Sequence, residues 1–211
     1  PRSTLFPYTT LFRSGPPGVL RSPTMIVLAS QSPRRREILR NAGFAFDVRP
    51  ANVEEIPLES EDPADYVVRL AREKAAAAAA GPEEFVLAAD TTVAAAGHIL
   101  EKPHSIEDAA RMLRLLSGRS HEVLTGVCLR HGGREWFGVE STAVRFVELS
   151  EAEILAYAAS GEPMDKAGGY AIQGLASKFI DRIEGCYFNV VGLPVSLVYR
   201  FLKQAGYPPA G

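Results

Sequence analysis

The stretch Ile26-Val27-Leu28-Ala29-Ser30-Gln31-Ser32-Pro33-Arg34-Arg35-Arg36-Glu37-Ile38-Leu39 decides the fold. An apolar β-type run gives way to two serines, Pro33 takes a first-turn helix position, and Ile38 and Leu39 begin an apolar helical face. Such a strand-to-helix turn leaves backbone N–H groups without partners at the helix start. The hydroxyls of Ser30 and Ser32 and the guanidinium groups of Arg34 and Arg35 crowd the same place. An anion there would meet directed donors, the positive end of a helix dipole and mobile positive charge, which is the chemistry of holding a polyphosphate. By itself the turn also suits a Ser-capped surface helix with solvated arginines. Residues further along decide between the two.

Outward from this turn, Gly43 stops the helix and Phe44 to Val48 alternate as a second strand. A loop with Val53-Glu54-Glu55-Ile56-Pro57 leads to Asp62-Pro63, the start of a helix whose apolar face is Tyr66, Val67, Leu70 and Ala71. That helix runs through Glu73-Lys74 into an alanine tract, a good helix former. The wholly apolar Phe85-Val86-Leu87-Ala88-Ala89 reads as a central strand buried on both faces, with Asp90 at its end. A hairpin through Gly97-His98 to Ile99-Leu100-Glu101-Lys102-Pro103 is expected to leave that point. Beyond a helix capped by Ser105, a long antiparallel hairpin turns at His131-Gly132-Gly133, and a capping box, Ser150 to Glu153, opens another helix. The stretch Asp165 to Gly174 is glycine-rich and polar, Phe179 to Ile183 reads as a strand, and Leu193-Pro194 starts a last amphipathic helix. Early βα units with antiparallel strands in the middle imply an α/β fold on a mixed sheet with flanking helices, in two lobes around a cleft.

Composition narrows the classes. A chain of 211 residues with 46% hydrophobic and 23% charged residues can bury one core, as one domain or two close lobes. No apolar stretch approaches the ~20 residues of a spanning helix, so no membrane partner is expected. Cys128 and Cys186 stand far apart without a C-x-x-C, which suits a reducing compartment and makes neither a disulfide framework nor a zinc site. A net charge of -2 argues against nucleic acid as a partner, so phosphate must be held locally. Residues 1–24 carry no acidic residue and no sustained period, and read as a non-native or disordered extension that resembles translated sequencing-adapter sequence. The functional domain is expected over 25–211.

Asp90 faces the crevice where α/β folds bind ligands if it ends a buried strand. Glu55 and Glu54 in a loop, with Lys74 and Lys102 at element ends, complete a set suited to phosphoryl chemistry. Two carboxylates can hold Mg²⁺ while two ammonium groups neutralise phosphate oxygens. His121 and Trp136 read as structural residues of the hairpin.

The chain resembles the Maf family, the septum-formation-inhibitor group of nucleotide pyrophosphatases. The matching stretches are Leu28 to Arg35, Val53-Glu54-Glu55, Tyr66 to Ala75, Ala89-Asp90-Thr91 and Leu100-Glu101-Lys102-Pro103. Further on come Leu116-Ser117-Gly118 with His121, Val123 and Thr125, then Asp165 to Gly168, Ile172-Gln173-Gly174 and Asn189 to Pro194. The resemblance implies a fold similar to the inosine-triphosphate pyrophosphatases, hydrolysis of nucleoside triphosphates to monophosphate and pyrophosphate, a divalent cation (Mg²⁺ or Mn²⁺), a cytoplasmic setting and a homodimer. It makes Asp90 the proton acceptor and Glu55, Lys74 and Lys102 the charged site positions, with Glu55 and Asp90 holding the metal. Ser30, Ser32, Arg34 and Arg35 would hold the triphosphate. Arg34, Thr91 and Gln173 stand where subgroups differ and are similar to the subgroup cleaving dTTP and UTP. There Thr91 and Gln173 would read the pyrimidine. Gln31 departs from the small residue usual between the two serines. The rival readings are a 7-methyl-GTP enzyme and a division regulator that binds nucleotide without cleaving it.

Overall fold

A computed structural model describes residues 25–81 and 83–208; the expected extension lies outside them. The chain begins with β1 (Ile26–Leu28), α1 (Pro33–Asn41), β2 (Phe46–Val48) and α2 (Pro63–Ala77). The long β3 (Phe85–Ala95) turns into β4 (His98–Leu100), and α3 (Ile106–Leu116) follows. Then β5 (Ser120–His131) and β6 (Arg134–Phe146) form the long hairpin that the His131-Gly132-Gly133 signal predicts. After α4 (Glu151–Ala158) come three short 3-10 turns between Glu162 and Phe179, β7 (Ile180–Glu184), α5 (Tyr187–Val191) and α6 (Val195–Gln204). No helix among the described residues is long and apolar enough to cross a membrane.

The helix starts follow the capping chemistry of the sequence. Ser32, Asp62 and Ser105 each accept a first-turn amide, and Ser150 with Glu153 forms a reciprocal capping box. The strands make one mixed sheet in the order β2-β1-β3-β5-β6-β7, with β4 also on β3. β1 runs parallel to both β2 and β3, and the later pairs are antiparallel.

One feature of this topology places the site. β5 takes one edge of β3 from Val86 to Ala94. The other edge is shared by β1, which pairs over Phe85 to Leu87, and β4, which pairs over Val93 to Ala95. Between them Ala88 to Thr92 have no strand partner on that side among the described residues, and a cleft opens there. One apolar cluster lies on the β1 side, where Leu28, Leu39, Leu87, Val198 and Leu202 pack together. A second, with Val93, Leu100, Leu113, Phe146 and Tyr157, lies on the β4 side. These are the two lobes.

The sequence reading ends the central strand at Ala89, whereas β3 continues to Ala95 and Asp90 lies inside it. Thr91, Thr92 and Val93 are β-branched and favour continued extension, and the charge is tolerated because Lys74 meets it. The short α5 and the 3-10 turns carry too little periodicity to be legible in advance.

Asp90 faces Gly126 across the β3–β5 ladder. A methyl group on Gly126 would stand 2.2 Å from the Val67 carbonyl oxygen, so α2 packs directly on this backbone. That close approach lets Lys74, two turns beyond Val67, reach Asp90. Gly126→Ala is expected to push α2 off the sheet and to lower stability by about 1–3 kcal/mol, measured by urea unfolding.

Candidate active site

The cleft has a volume of about 640 Å³ and draws its walls from both lobes. Ser30, Ser32, Arg34, Arg35, Glu55, Lys74, Asp90, Thr91, Lys102 and Gln173 all line it, so the structure gathers the candidate site residues of the sequence with the exception of Glu54. Glu54 and Arg36 do not line it.

At its acidic end, Lys74 and Asp90 are only 7% and 6% exposed, and the Lys74 ammonium donates to Asp90 Oδ1. The same ammonium lies 2.5 Å from Glu55 Oε1, and Lys102 Nζ lies 3.3 Å from Glu55 Oε2. Burial alone would raise the Glu55 carboxyl, but the hydrogen bond and charge of Lys74, reinforced by Lys102, hold it below its ordinary value. Glu55 and Asp90 are thus two carboxylates on a shared cation.

At its basic end, the Ser30 hydroxyl accepts from the Ser32 amide at 3.2 Å and from Arg35 Nη1 at 3.2 Å. The Ser32 hydroxyl accepts the Arg35 amide at 3.4 Å. Each serine therefore serves the protein as an acceptor and keeps its one O–H free to donate to an anion. Arg35 donates from Nε to the Gly192 carbonyl at 2.7 Å and from Nη2 to Thr91 Oγ1 at 3.0 Å. Burial lowers its guanidinium from the ordinary value, with Asp90 opposing; the group stays charged. Arg34 crosses the cleft to Asp165 at 3.5 Å, a half-exposed contact that a ligand can open.

Alternation sends the Asp90 and Thr91 side chains to opposite faces of β3. Both still line the cleft, because the open edge of β3 is reached from either face. The Thr91 hydroxyl is held by Arg35 and by Thr125, 2.9 Å away. Gln173 is exposed at the rim, on a turn tied down by Glu162, which accepts the Leu175 amide at 3.0 Å. His121 is buried against Tyr170, Nε2 to hydroxyl 2.8 Å, and burial drops its pKa to about 4. That contact fits the structural reading.

Sequence reasoning assigned no role to Glu101, which also lines the cleft. Thr92 donates to its Oε1 at 2.8 Å. Burial raises its carboxyl, and the charges of Asp90 and Glu55 raise it further. Three carboxylates therefore look into one end of the cleft. Among the described residues no group of three or more His, Cys, Asp or Glu side chains stands close enough to hold a metal ion by itself. Such a donor set fits Mg²⁺, which is commonly held by one or two carboxylates together with substrate phosphates.

Because the folded state raises the Glu101 carboxyl above its ordinary 4.5, the wild type is relatively most stable below that value and loses this contribution as pH rises through the raised one. Glu101→Gln cannot ionise. It is expected to melt above the wild type at pH 7 and level with it near pH 4, as read from thermal unfolding across pH.

A family model described as Maf-like protein matches residues 25–205. The dTTP/UTP pyrophosphatase of Koribacter versatilis is 54% identical over 182 residues, covering 86% of this chain and 94% of that one. The dTTP/UTP pyrophosphatase of Anaeromyxobacter dehalogenans strain 2CP-C is 54% identical over 187 residues, 87% of this chain and 95% of that one. The solved Staphylococcus aureus Ham1 protein is similar over 85% of this chain and 98% of its own, with 15% identity and a TM-score of 0.47. With the match running from the first strand to the last helix, the chain belongs to the Maf-like protein family.

Proposed function

We propose that this protein hydrolyses dTTP and UTP to the monophosphate and pyrophosphate. The observation that carries this reading is the convergence, in one cleft, of an anion cradle and a carboxylate–lysine cluster. Relatives at about half identity that bear the name dTTP/UTP pyrophosphatase support the substrate class.

The triphosphate lies along the α1 start. Ser30 and Ser32 donate their free O–H groups, and Arg35 brings charge that no carboxylate among the described residues pairs with. Lys74 and Lys102 neutralise charge that builds on the phosphate oxygens during displacement. Asp90 gives Oδ1 to Lys74, which leaves Oδ2 for water. That oxygen orients the attacking water and accepts its proton as the α–β linkage breaks, and pyrophosphate leaves. A carboxylate is a weak base at neutral pH, so assistance is needed. A divalent cation, Mg²⁺ or Mn²⁺, held by Glu55 and Asp90 with phosphate oxygens, would supply that assistance by offsetting phosphate charge and making water more acidic. Gln173 at the rim offers both a donor and an acceptor to a pyrimidine edge.

Pyrophosphate and orthophosphate, measured separately from dTTP, UTP and 7-methyl-GTP with and without Mg²⁺ or Mn²⁺, test this reading. Metal-dependent pyrophosphate release from dTTP and UTP is expected, with Asp90→Asn folded but slower by about 10²–10⁴-fold. Orthophosphate as the product, preference for the methylated purine, or undiminished turnover by Asp90→Asn would overturn it.

A further inference from the structure

Arg35 carries donors only, and each of its three protein partners is a neutral oxygen: the Gly192 carbonyl, Ser30 Oγ and Thr91 Oγ1. These contacts continue into a longer hydrogen-bond chain. Thr91 accepts from Arg35 and shares a hydrogen bond with Thr125 Oγ1 at 2.9 Å, in which either hydroxyl can donate. The Gly192 oxygen lies at 3.5 Å, so the order from Thr91 to Thr125 uses the nearer acceptor. Thr125 then donates to the Asn189 carbonyl at 3.2 Å. Asn189 has no exposed surface. Its Nδ2 donates to the Val123 carbonyl at 2.8 Å and to Thr142 Oγ1 at 2.9 Å, anchoring α5 on β5 and β6. Its carbonyl also takes the Gly192 amide at 2.9 Å. One buried residue thus sets both the end of the Thr91–Thr125 chain and the place of the Gly192 carbonyl that holds Arg35 Nε.

We propose that Thr125 and Asn189 are positioning residues for triphosphate binding, acting on the Arg35 guanidinium through Thr91 and Gly192. The proposal rests on the nucleotide reading above. Neither residue lines the cleft; they aim the cation that does. The neutral relay orients Arg35 without cancelling its charge, and each hydroxyl polarises the next. A carboxylate in its place would hold the guanidinium equally well but compete with phosphate for it.

The test replaces one hydroxyl by a methyl of similar size. Thr125→Val is expected to weaken binding of a non-hydrolysable α,β-imido UTP analogue about tenfold by calorimetry. It should raise KM for UTP to the same extent, with kcat changed far less, the pattern of lost ground-state binding. Thr125→Ser, which keeps the hydroxyl, should restore both. If Thr125→Val does not fold, Thr125→Ala removes the same hydroxyl and carries the same measurements. A lowered melting temperature with wild-type analogue affinity and KM would show a structural role only and overturn the relay. Wild-type protein that binds no analogue would instead overturn the nucleotide reading on which the relay rests.

Discussion

The structure depends on one buried ammonium. Lys74 sits between Asp90 and Glu55; it and Asp90 are largely withdrawn from water, while Glu55 stands at the exposed rim. Removing an ion from water costs several kcal/mol, and only close opposite charge offsets it. Remove the ammonium, and two carboxylates with Glu101 beside them would be left to repel one another in a medium that screens poorly. The geometry that brings the ammonium there is set by a missing side chain. Gly126 lets α2 lie directly on the sheet, and the helix delivers Lys74 to the strand residue paired with that same glycine.

The second constraint is the gap in the β3 edge. β1 is only three residues long, and five residues of β3 separate its last contact from the first β4 contact, so the sheet itself leaves the opening. A strand that would elsewhere be sealed between neighbours presents Asp90 to one side and Thr91 to the other. The acidic cluster and the arginine cradle therefore belong to different faces of one strand and meet over its edge. Charge is handled differently on each side. Lysines pair the carboxylates, whereas neutral oxygens hold Arg35 and leave its charge uncancelled.

Much of this was legible in the sequence. The Ser30 to Arg35 turn announces a capped, arginine-rich helix start because proline and serine each carry a local mechanism. The apolar run before Asp90 and the Asp62-Pro63 helix start are similarly local. What escaped is what depends on distant residues meeting. Asp90 read as a strand tip because a buried aspartate makes sense inside a strand only when Lys74 is known to face it. The links from the Thr91 hydroxyl to Arg35 and Thr125 join residues 56 and 34 positions apart in the chain, which no local pattern marks. Glu101 has no helical or strand period to mark it, and its raised carboxyl comes from burial in the tertiary structure. Asn189 lies in a five-residue helix too short to leave a pattern.

The central claim is that a single nucleotide tail bridges the arginine cradle and the carboxylate–lysine cluster across the β3 edge. A crystal structure of the protein with α,β-imido dTTP tests it most directly. The account predicts phosphate oxygens within hydrogen-bond distance of Ser30, Ser32 and Arg35, with the α-phosphorus on the Asp90 side of the cleft. A tail lying outside the cleft, or held away from Arg35 and Asp90, would contradict it.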